Sequence, residues 1–375
     1  MNETIISEKK NVDIEVSLVL DKLKKALSGL ERVVSGRSTL PILNNVLIRV
    51  QKDGVEISAT DLEMGVKFFL GGKVEKEGVI TVPGKTLSSF VNNLHADTIT
   101  FQSKNNILSL KAGEMKANIN GMSADEFPII PEVEGGKVVE MKGNVFKDLL
   151  SQVDFSASYE ESRPILTGVY MVADDKGFTL AATDSYRLSE VKSGEVLKEN
   201  FTVVVPVRTL NEIKKVLGDS EKFELRVGEN QIMVKTENVT VVSRIIEGDY
   251  PNYKQIIPEN AATKVELEVQ DLIDTLKTAS IFSIEESSSV KLNITPAGVE
   301  VTSQSSQLGN FSSNINAKVE GDGGEISFNA KYILDGLNSF TTPKCVFEFS
   351  GKGSPGVFKP SGVDSRLYVV MPLKS

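Results

Sequence analysis

Apolar residues recur along this chain at two different periods. Leu20, Leu23, Leu27 and Leu30 keep the spacing that lines one face of a helix, and Val145, Phe146, Leu149 and Leu150, then Leu272, Ile273 and Leu276, repeat it later. Asn144 and Asp271 stand where the last two of these helices would take their N-caps. Between them, runs such as Val46–Val50, Val55–Ser58, Ile107–Leu110 and Ile232–Val234 alternate or cluster as strands do. A second helix is expected in each region just after Pro83, Pro206 and Asn329. Strands outnumber helices and their spacing is hairpin-like, so the pattern predicts an α+β fold on antiparallel sheet.

The pattern also repeats itself. Thr81–Leu87 (TVPGKTL) recurs as Val204–Leu210 (VVPVRTL) and, more faintly, as Ser327–Ile333 (SFNAKYI), each step being 123 residues. Gly54–Asp61 (GVEISATD) returns at the same interval as Gly177–Asp184 (GFTLAATD), with a looser third copy at Gly298–Ser303. Phe127-Pro128 before Ile130-Pro131-Glu132 echoes Tyr250-Pro251 before Ile257-Pro258-Glu259, which reads as a linker preceding a new helix. A period this long exceeds that of solenoid repeats, so each copy is expected to be a domain. The boundaries read from it are 1–136, 137–262 and 263–375, with residues 1 to about 12 as an added tail.

Composition narrows the chemistry. The 375 residues carry 42 Lys and Arg against 51 Asp and Glu, a net charge of −9. A single cysteine, Cys345, leaves no internal disulfide or multi-cysteine zinc site, and a single histidine, His95, makes His-based metal and triad chemistry improbable. No metal or cofactor is expected. No apolar run approaches the ~18 residues of a membrane span, and Met1–Lys10 has no apolar signal core, so a cytoplasmic protein is expected.

The second helix carries the sharpest clue. Positions 87, 210 and 333 are Leu, Leu and Ile, and positions 94, 217 and 340 are Leu, Leu and Phe, a shared buried stripe. Lys85, Arg208 and Lys331 each sit two residues before it, about 200° around the helix and near its N-terminus. A cation there opposes the helix dipole, so its recurrence suggests an anionic ligand such as phosphate. Lys22, Lys24, Lys25, Lys147 and Lys277 add positive charge on the first helices. A chain of negative net charge cannot hold nucleic acid by bulk attraction. Closing a ring around a duplex, with triplicated domains as segments, would hold it without tight binding.

The order and spacing of several segments resemble the bacterial sliding clamps, the beta subunits of DNA polymerase III, over nearly the full length. They are Arg37–Val46 (RSTLPILNNV), Ala59–Met64 (ATDLEM), Ala182–Leu188 (ATDSYRL), Gly248–Tyr253 (GDYPNY) and Tyr368–Leu373 (YVVMPL). The resemblance implies three tandem clamp domains, each of two helices packed on antiparallel sheet, and a head-to-tail homodimer forming a six-domain ring. It implies sequence-independent binding of double-stranded DNA through phosphate contacts. Arg37, Lys85 and Arg208 are then the expected DNA-binding residues, with Lys331 added from the repeat phase.

It further implies a pocket for short Leu- and Phe-anchored peptides of the replicative polymerase alpha subunit, the clamp-loader delta subunit and other clamp-motif proteins. The matching positions are Leu166, Thr183, Ser185, Tyr186, Arg187, Leu188, Pro251, Ile256, Val369, Met371, Pro372 and Leu373, an apolar patch with polar rim groups. The implied dimer seam is Ile119 with Ile281 and Phe282. Two rivals stand beside this reading. One is a metal-dependent enzyme built on Asp61 with Glu63, or Glu160 with Glu161, although duplication of Asp61 as Asp184 suggests a turn residue instead. The other is a three-repeat scaffold that binds only proteins and encircles nothing.

Overall fold

The computed structural model describes residues 13–34, 40–217, 222–283 and 288–373. They divide into two compact units, one holding residues up to 144 together with 209–245, the other 145–208 together with 246–375. The middle copy of the repeat is thus shared between the two.

In the first unit an eight-stranded antiparallel sheet runs in the order Lys137–Lys142, Lys222–Val227, Gln231–Lys235, Val239–Arg244, Met64–Leu70, Gly54–Thr60, Asn45–Gln51, Gly78–Pro83. A five-stranded sheet runs Gly72–Lys76, Glu15–Val19, Thr98–Lys104, Ile107–Ala112, Met115–Asn120. Helix α1 (Leu20–Glu31) packs against α2 (Gly84–Asn92). The expected leucine stripe of α1 is buried at all four positions, as are Leu87 and Val91 of α2. Each such side chain stabilises the fold by roughly 1.5–3 kcal/mol.

The second unit repeats the plan. Its nine-stranded sheet runs Phe201–Pro206, Gly168–Asp174, Gly177–Thr183, Arg187–Ser193, Arg366–Val370, Gly356–Pro360, Lys344–Phe349, Thr263–Glu268, Ala317–Gly321. A four-stranded sheet runs Gly309–Ile315, Gly298–Ser305, Ser289–Thr295, Gly324–Asn329. Helices α3 (Gly143–Ser151) and α4 (Val207–Val216) cross the division between the units along the chain, while α5 (Val269–Ile281) packs against α6 (Ala330–Asn338) within the second. Leu272, Ile273 and Leu276 are buried, as expected, and Tyr368 is buried with them. Its ring lies so close to α6 that a Cβ at Gly336 would fall 2.2 Å from it, so only glycine fits there.

The expected caps are corrected by the structure. Asn144 is the second residue of α3, and Asp271 is the third of α5. Both helices begin earlier than expected, straight from a strand: α3 at Gly143 after Lys137–Lys142, and α5 at Val269 after Thr263–Glu268, whose Glu268 takes the N-cap position without a side-chain capping bond. A distant carbonyl satisfies the first N–H of α5, Val269 donating to Pro343 O at 2.8 Å, as Leu20 of α1 does to Asp97 O at 3.0 Å. Asp271 still favours its helix by placing negative charge in the first turn. A strand, Lys137–Lys142 or Thr263–Glu268, lies between each proline segment and the helix it precedes. Where a side-chain cap does form is α6, whose Asn329 accepts from Lys331 N at 2.9 Å and Tyr332 N at 3.4 Å.

Candidate functional site

The duplicated Ala-Thr-Asp sequence builds the same turn twice. Asp61 Oδ1 accepts from Glu63 N at 3.1 Å and Met64 N at 2.8 Å, and Asp184 Oδ1 accepts from Tyr186 N and Arg187 N, both at 2.9 Å. Thr60 donates to Met64 O at 2.9 Å and Thr183 to Arg187 O at 2.6 Å. Leu62 and Ser185 sit at φ 77°, the left-handed region. In the third copy Ser305 takes the acid's place, its Oγ accepting from Gln307 N at 3.2 Å and Leu308 N at 3.1 Å. The aspartates hold a turn, as their duplication suggested, and the metal-enzyme reading loses its central residue.

Each of the first two turns launches a strand that joins one copy of the repeat to the next. Met64 faces Ser243 in the first unit, and Arg187 faces Val370 in the second. The same backbone bond follows, from Arg244 N to Glu63 O at 3.0 Å and from Met371 N to Tyr186 O at 2.8 Å.

Around the second junction lie the residues expected to receive peptides. Leu188 and Val369, paired across the sheet, are fully buried in a cluster with Ala181, Tyr253 and Val357, against which Tyr170, Tyr250 and Ile257 pack. Pro251 and Ile256 are exposed at either end of the 3-10 turn that delivers Tyr253 into this cluster. Leu166 is buried in the turn Pro164–Thr167, whose preceding Arg163 donates to Ser185 Oγ at 3.1 Å. Thr183 is buried in its turn, while Tyr186 is 60% exposed and stacks on Tyr332 with ring centres 6.2 Å apart. Met371, Pro372 and Leu373 are half-buried, and Leu373 N is anchored on Ser327 O at 2.9 Å. The second unit therefore presents an apolar surface with both floor and rim fixed by hydrogen bonds.

Arg187 fixes one side of it. Its Nε lies 3.0 Å from Asp184 and its Nη1 2.5 Å from Asp335, and the guanidinium sits 4.7 Å over the Tyr332 ring. Burial works against its charge, but Tyr368, Asp335 and Asp184 outweigh that and raise its pKa above the ordinary arginine value. Asp335, Tyr332 and Phe155, which complete this knot, were not foreseen, because no periodic pattern marks the contact between the second and third copies that brings them to Arg187.

The repeated cations fall into register. Lys85, Arg208 and Lys331 are each the second residue of their helix, α2, α4 and α6, and all three are exposed. Arg37 and the N-terminal tail lie outside the described residues. Ile119 is only 6% exposed, in the edge strand Met115–Asn120, whereas Ile281 is 56% exposed at the end of α5 and Phe282 stacks on Phe311 of the edge strand Gly309–Ile315. Among the described residues no group of three or more His, Cys, Asp or Glu could hold a metal, and no helix is long and apolar enough to cross a membrane.

The described residues thus combine an apolar surface at the second junction, turns built from carboxylates and a threefold series of exposed cations. Comparison with known proteins makes this specific. The N-terminal, central and C-terminal domain models of the DNA polymerase III beta subunit match residues 14–131, 140–252 and 254–374. The beta sliding clamp of Bacillus subtilis is 29% identical over 370 residues, covering 95% of this chain and 98% of its own; that of Staphylococcus epidermidis is 28% identical over 375, covering 96% and 100%. The crystal structure of the Bacillus subtilis DNA polymerase sliding clamp superposes with a TM-score of 0.93 at 27% identity, covering 97% of this chain and 100% of that one. The Thermotoga maritima DNA polymerase III beta subunit gives 0.92 at 26%, covering 96% and 100%. The chain belongs to the DNA polymerase III beta subunit family. Its function is that of a sliding clamp, a non-catalytic subunit of the replicative polymerase, and the scaffold-only alternative is not favoured.

Proposed function

We propose that two copies of this chain close head to tail into a six-domain ring around duplex DNA, in the cytoplasm, and tether the replicative polymerase, clamp loader and repair proteins to it. One observation carries the reading. At each repeat junction the strand after the turn pairs with the last strand of the next copy. Met115–Asn120, the last strand of the first copy, and Gly309–Ile315, the strand after the third turn, are instead sheet edges among the described residues. They are the two halves of one more such junction, and a second chain would supply each half with its partner. Two heterologous contacts of this kind close a two-fold ring and leave neither of these two edges open. Ile281, Phe282 and Ile119 lie on or beside these edges and form the proposed seam.

Exposed Lys85, Arg208 and Lys331, with Arg37, then serve as phosphate contacts without base readout, which permits sliding. The surface around Leu188, Val369 and Tyr186 receives the Leu- and Phe-anchored peptides of the partners. The domain boundaries 1–136, 137–262 and 263–375 are kept as the functional divisions. Sedimentation equilibrium tests the ring first: the reading requires twice the chain mass, and a stable single chain at micromolar concentration would contradict it. Charge reversal of Arg37, Lys85 and Arg208 together should weaken salt-resistant retention on DNA at least about tenfold and leave peptide affinity unchanged.

A further inference from the structure

A buried acid lies under the apolar surface of the second unit. Glu190 is buried in the strand Arg187–Ser193, two residues on from Leu188 and so on the same face of the sheet. Across the sheet it stands opposite Ala181 on one side and Leu367 on the other, both apolar. A carboxylate set among such neighbours is costly unless its oxygens are paired. Here both are: Oε2 accepts from the Tyr253 hydroxyl at 2.6 Å, and Oε1 lies 2.9 Å from the ammonium of Lys192, whose side chain reaches solvent. Burial, and then this bond, raise the Tyr253 pKa above the ordinary tyrosine value, so the phenol keeps its proton and donates.

Tyr253 is the buried first residue of the turn Tyr253–Ile256, and Pro251 and Ile256 stand exposed at either end of it. The turn's backbone bonds stay local, from Tyr253 N to Pro251 O at 2.7 Å, Gln255 N to Asn252 O at 3.3 Å and Ile257 N to Lys254 O at 3.3 Å. Among the described residues, the bond from Tyr253 to Glu190 is therefore the hydrogen bond that ties segment 251–257 to the sheet. Edge-on contacts with Tyr170 and Tyr250, both with ring centres 6.3 Å apart, also pack the ring, but apolar packing is not directional, so the hydroxyl bond sets how deep the ring sits. The first junction is built otherwise. Lys67 occupies the position 123 residues before Glu190, and only Ile129 and Ile130 separate Pro128 from Pro131. Of the two junctions, the acid and the phenol occur together at the one proposed to receive a partner.

We propose that Glu190 is a positioning residue for peptide recognition: through Tyr253 it sets the depth of the turn that presents Pro251 and Ile256 to a Leu- and Phe-anchored partner. The inference rests on the docking reading above and gives that site a determinant that itself touches no peptide.

Fluorescence anisotropy with a labelled Leu/Phe-anchored peptide, read beside urea unfolding of the same full-length variants, tests the assignment. Tyr253→Phe removes one hydroxyl and keeps the ring; it should weaken the peptide at least about threefold. Glu190→Leu should weaken it as much and leave the fold as stable or more so, since an apolar side chain in place of a buried ion is often neutral or stabilising. A merely structural acid would not separate the two readouts in this way. Glu190→Gln keeps an acceptor for the phenol and should stay within about twofold of the unaltered chain. Combining Tyr253→Phe with Glu190→Leu should weaken the peptide no more than either change alone, because both break the same bond. Normal affinity for Tyr253→Phe, additive losses in the double variant, or a loss in Glu190→Gln equal to that in Glu190→Leu would each overturn the inference. So would a loss of affinity confined to variants whose unfolding midpoint has also fallen. Truncation after Val370 separates the inference from the reading beneath it. If the truncation weakens the peptide and Tyr253→Phe does not, this inference alone falls; if neither does, the docking site is misplaced and the inference falls with it.

Discussion

The two repeat junctions share a backbone and differ in what surrounds it. At the first, the turn at Asp61 leads to Met64 and Gly65, and Ile130 from the following segment lies so close to Gly65 that a Cβ there would meet it at 2.5 Å. Phe127, Ile130 and Val133 are buried in one cluster with Ile42, Leu43 and Val242, so that corner is filled by the chain itself. At the second, the corresponding residues are Arg187 and Leu188, and the segment after Pro251 is longer and sets Tyr253 inward; the first isoleucine of the pair before the second proline is exposed at both, Ile129 at 67% and Ile256 at 41%. All seven tyrosines and the lone cysteine lie in this second unit, and none in the first. A tyrosine presents an apolar body and a polar tip, which suits a surface that must be wetted when empty and covered when engaged. One scaffold thus yields a corner filled by Ile130 and its neighbours and one floored by tyrosines, and the difference lies in side chains on equivalent bonds.

Emptying the filled corner should produce the largest effect. Ile130→Ala is expected to cost about 3 kcal/mol in urea denaturation, because its side chain is buried against Gly65 and the Phe127 and Val133 cluster, while peptide affinity stays unchanged. Truncation after Val370, which removes Met371, Pro372 and Leu373 together with Lys374 and Ser375, should weaken a Leu/Phe-anchored peptide by roughly 2 kcal/mol in fluorescence anisotropy, with little loss of stability. A normal affinity after truncation would exclude these residues from the pocket. Tyr186→Ala removes an exposed ring stacked on Tyr332 and should cost the peptide about 1 kcal/mol.

The smallest effect is set by pH. Burial pushes the Cys345 thiol up to about 12, and burial likewise raises Tyr250, Tyr253 and Tyr368 above the ordinary tyrosine value. These groups stay protonated in the fold at a pH where the unfolded chain has begun to lose their protons. Their contribution is therefore complete below about pH 8.5 and declines as pH rises beyond it, by about 1 kcal/mol at pH 9.5. Hydrogen exchange should locate that loss in the second unit. Equal loss in both units would show that the contrast between them is not electrostatic.

Much of this was legible in the sequence, and for a definite reason. The leucine stripe of α1, the helix starts after Pro83 and Pro206 and the turn role of Asp61 and Asp184 all rest on local periodicity or on two copies that agree. The N-caps were misplaced at Asn144 and Asp271 because both helices begin earlier, straight from a strand, and the carbonyl that satisfies Val269 N, Pro343 O, comes from far along the chain. Pairing of Met64 with Ser243 and of Arg187 with Val370 joins residues more than 170 positions apart, which no local pattern encodes. Asp335 and Tyr332 escaped notice beside Arg187 because they reach it from another copy of the repeat, 145 or more positions along the chain.

Retention on DNA of different topology tests the central claim most directly. Protein loaded onto a nicked circular plasmid and passed over a sizing column at moderate salt should stay with the circle and be lost within minutes once the plasmid is cut to a linear form. Equal retention on circle and line would mean that the chain grips DNA by contact, and a closed ring would be contradicted.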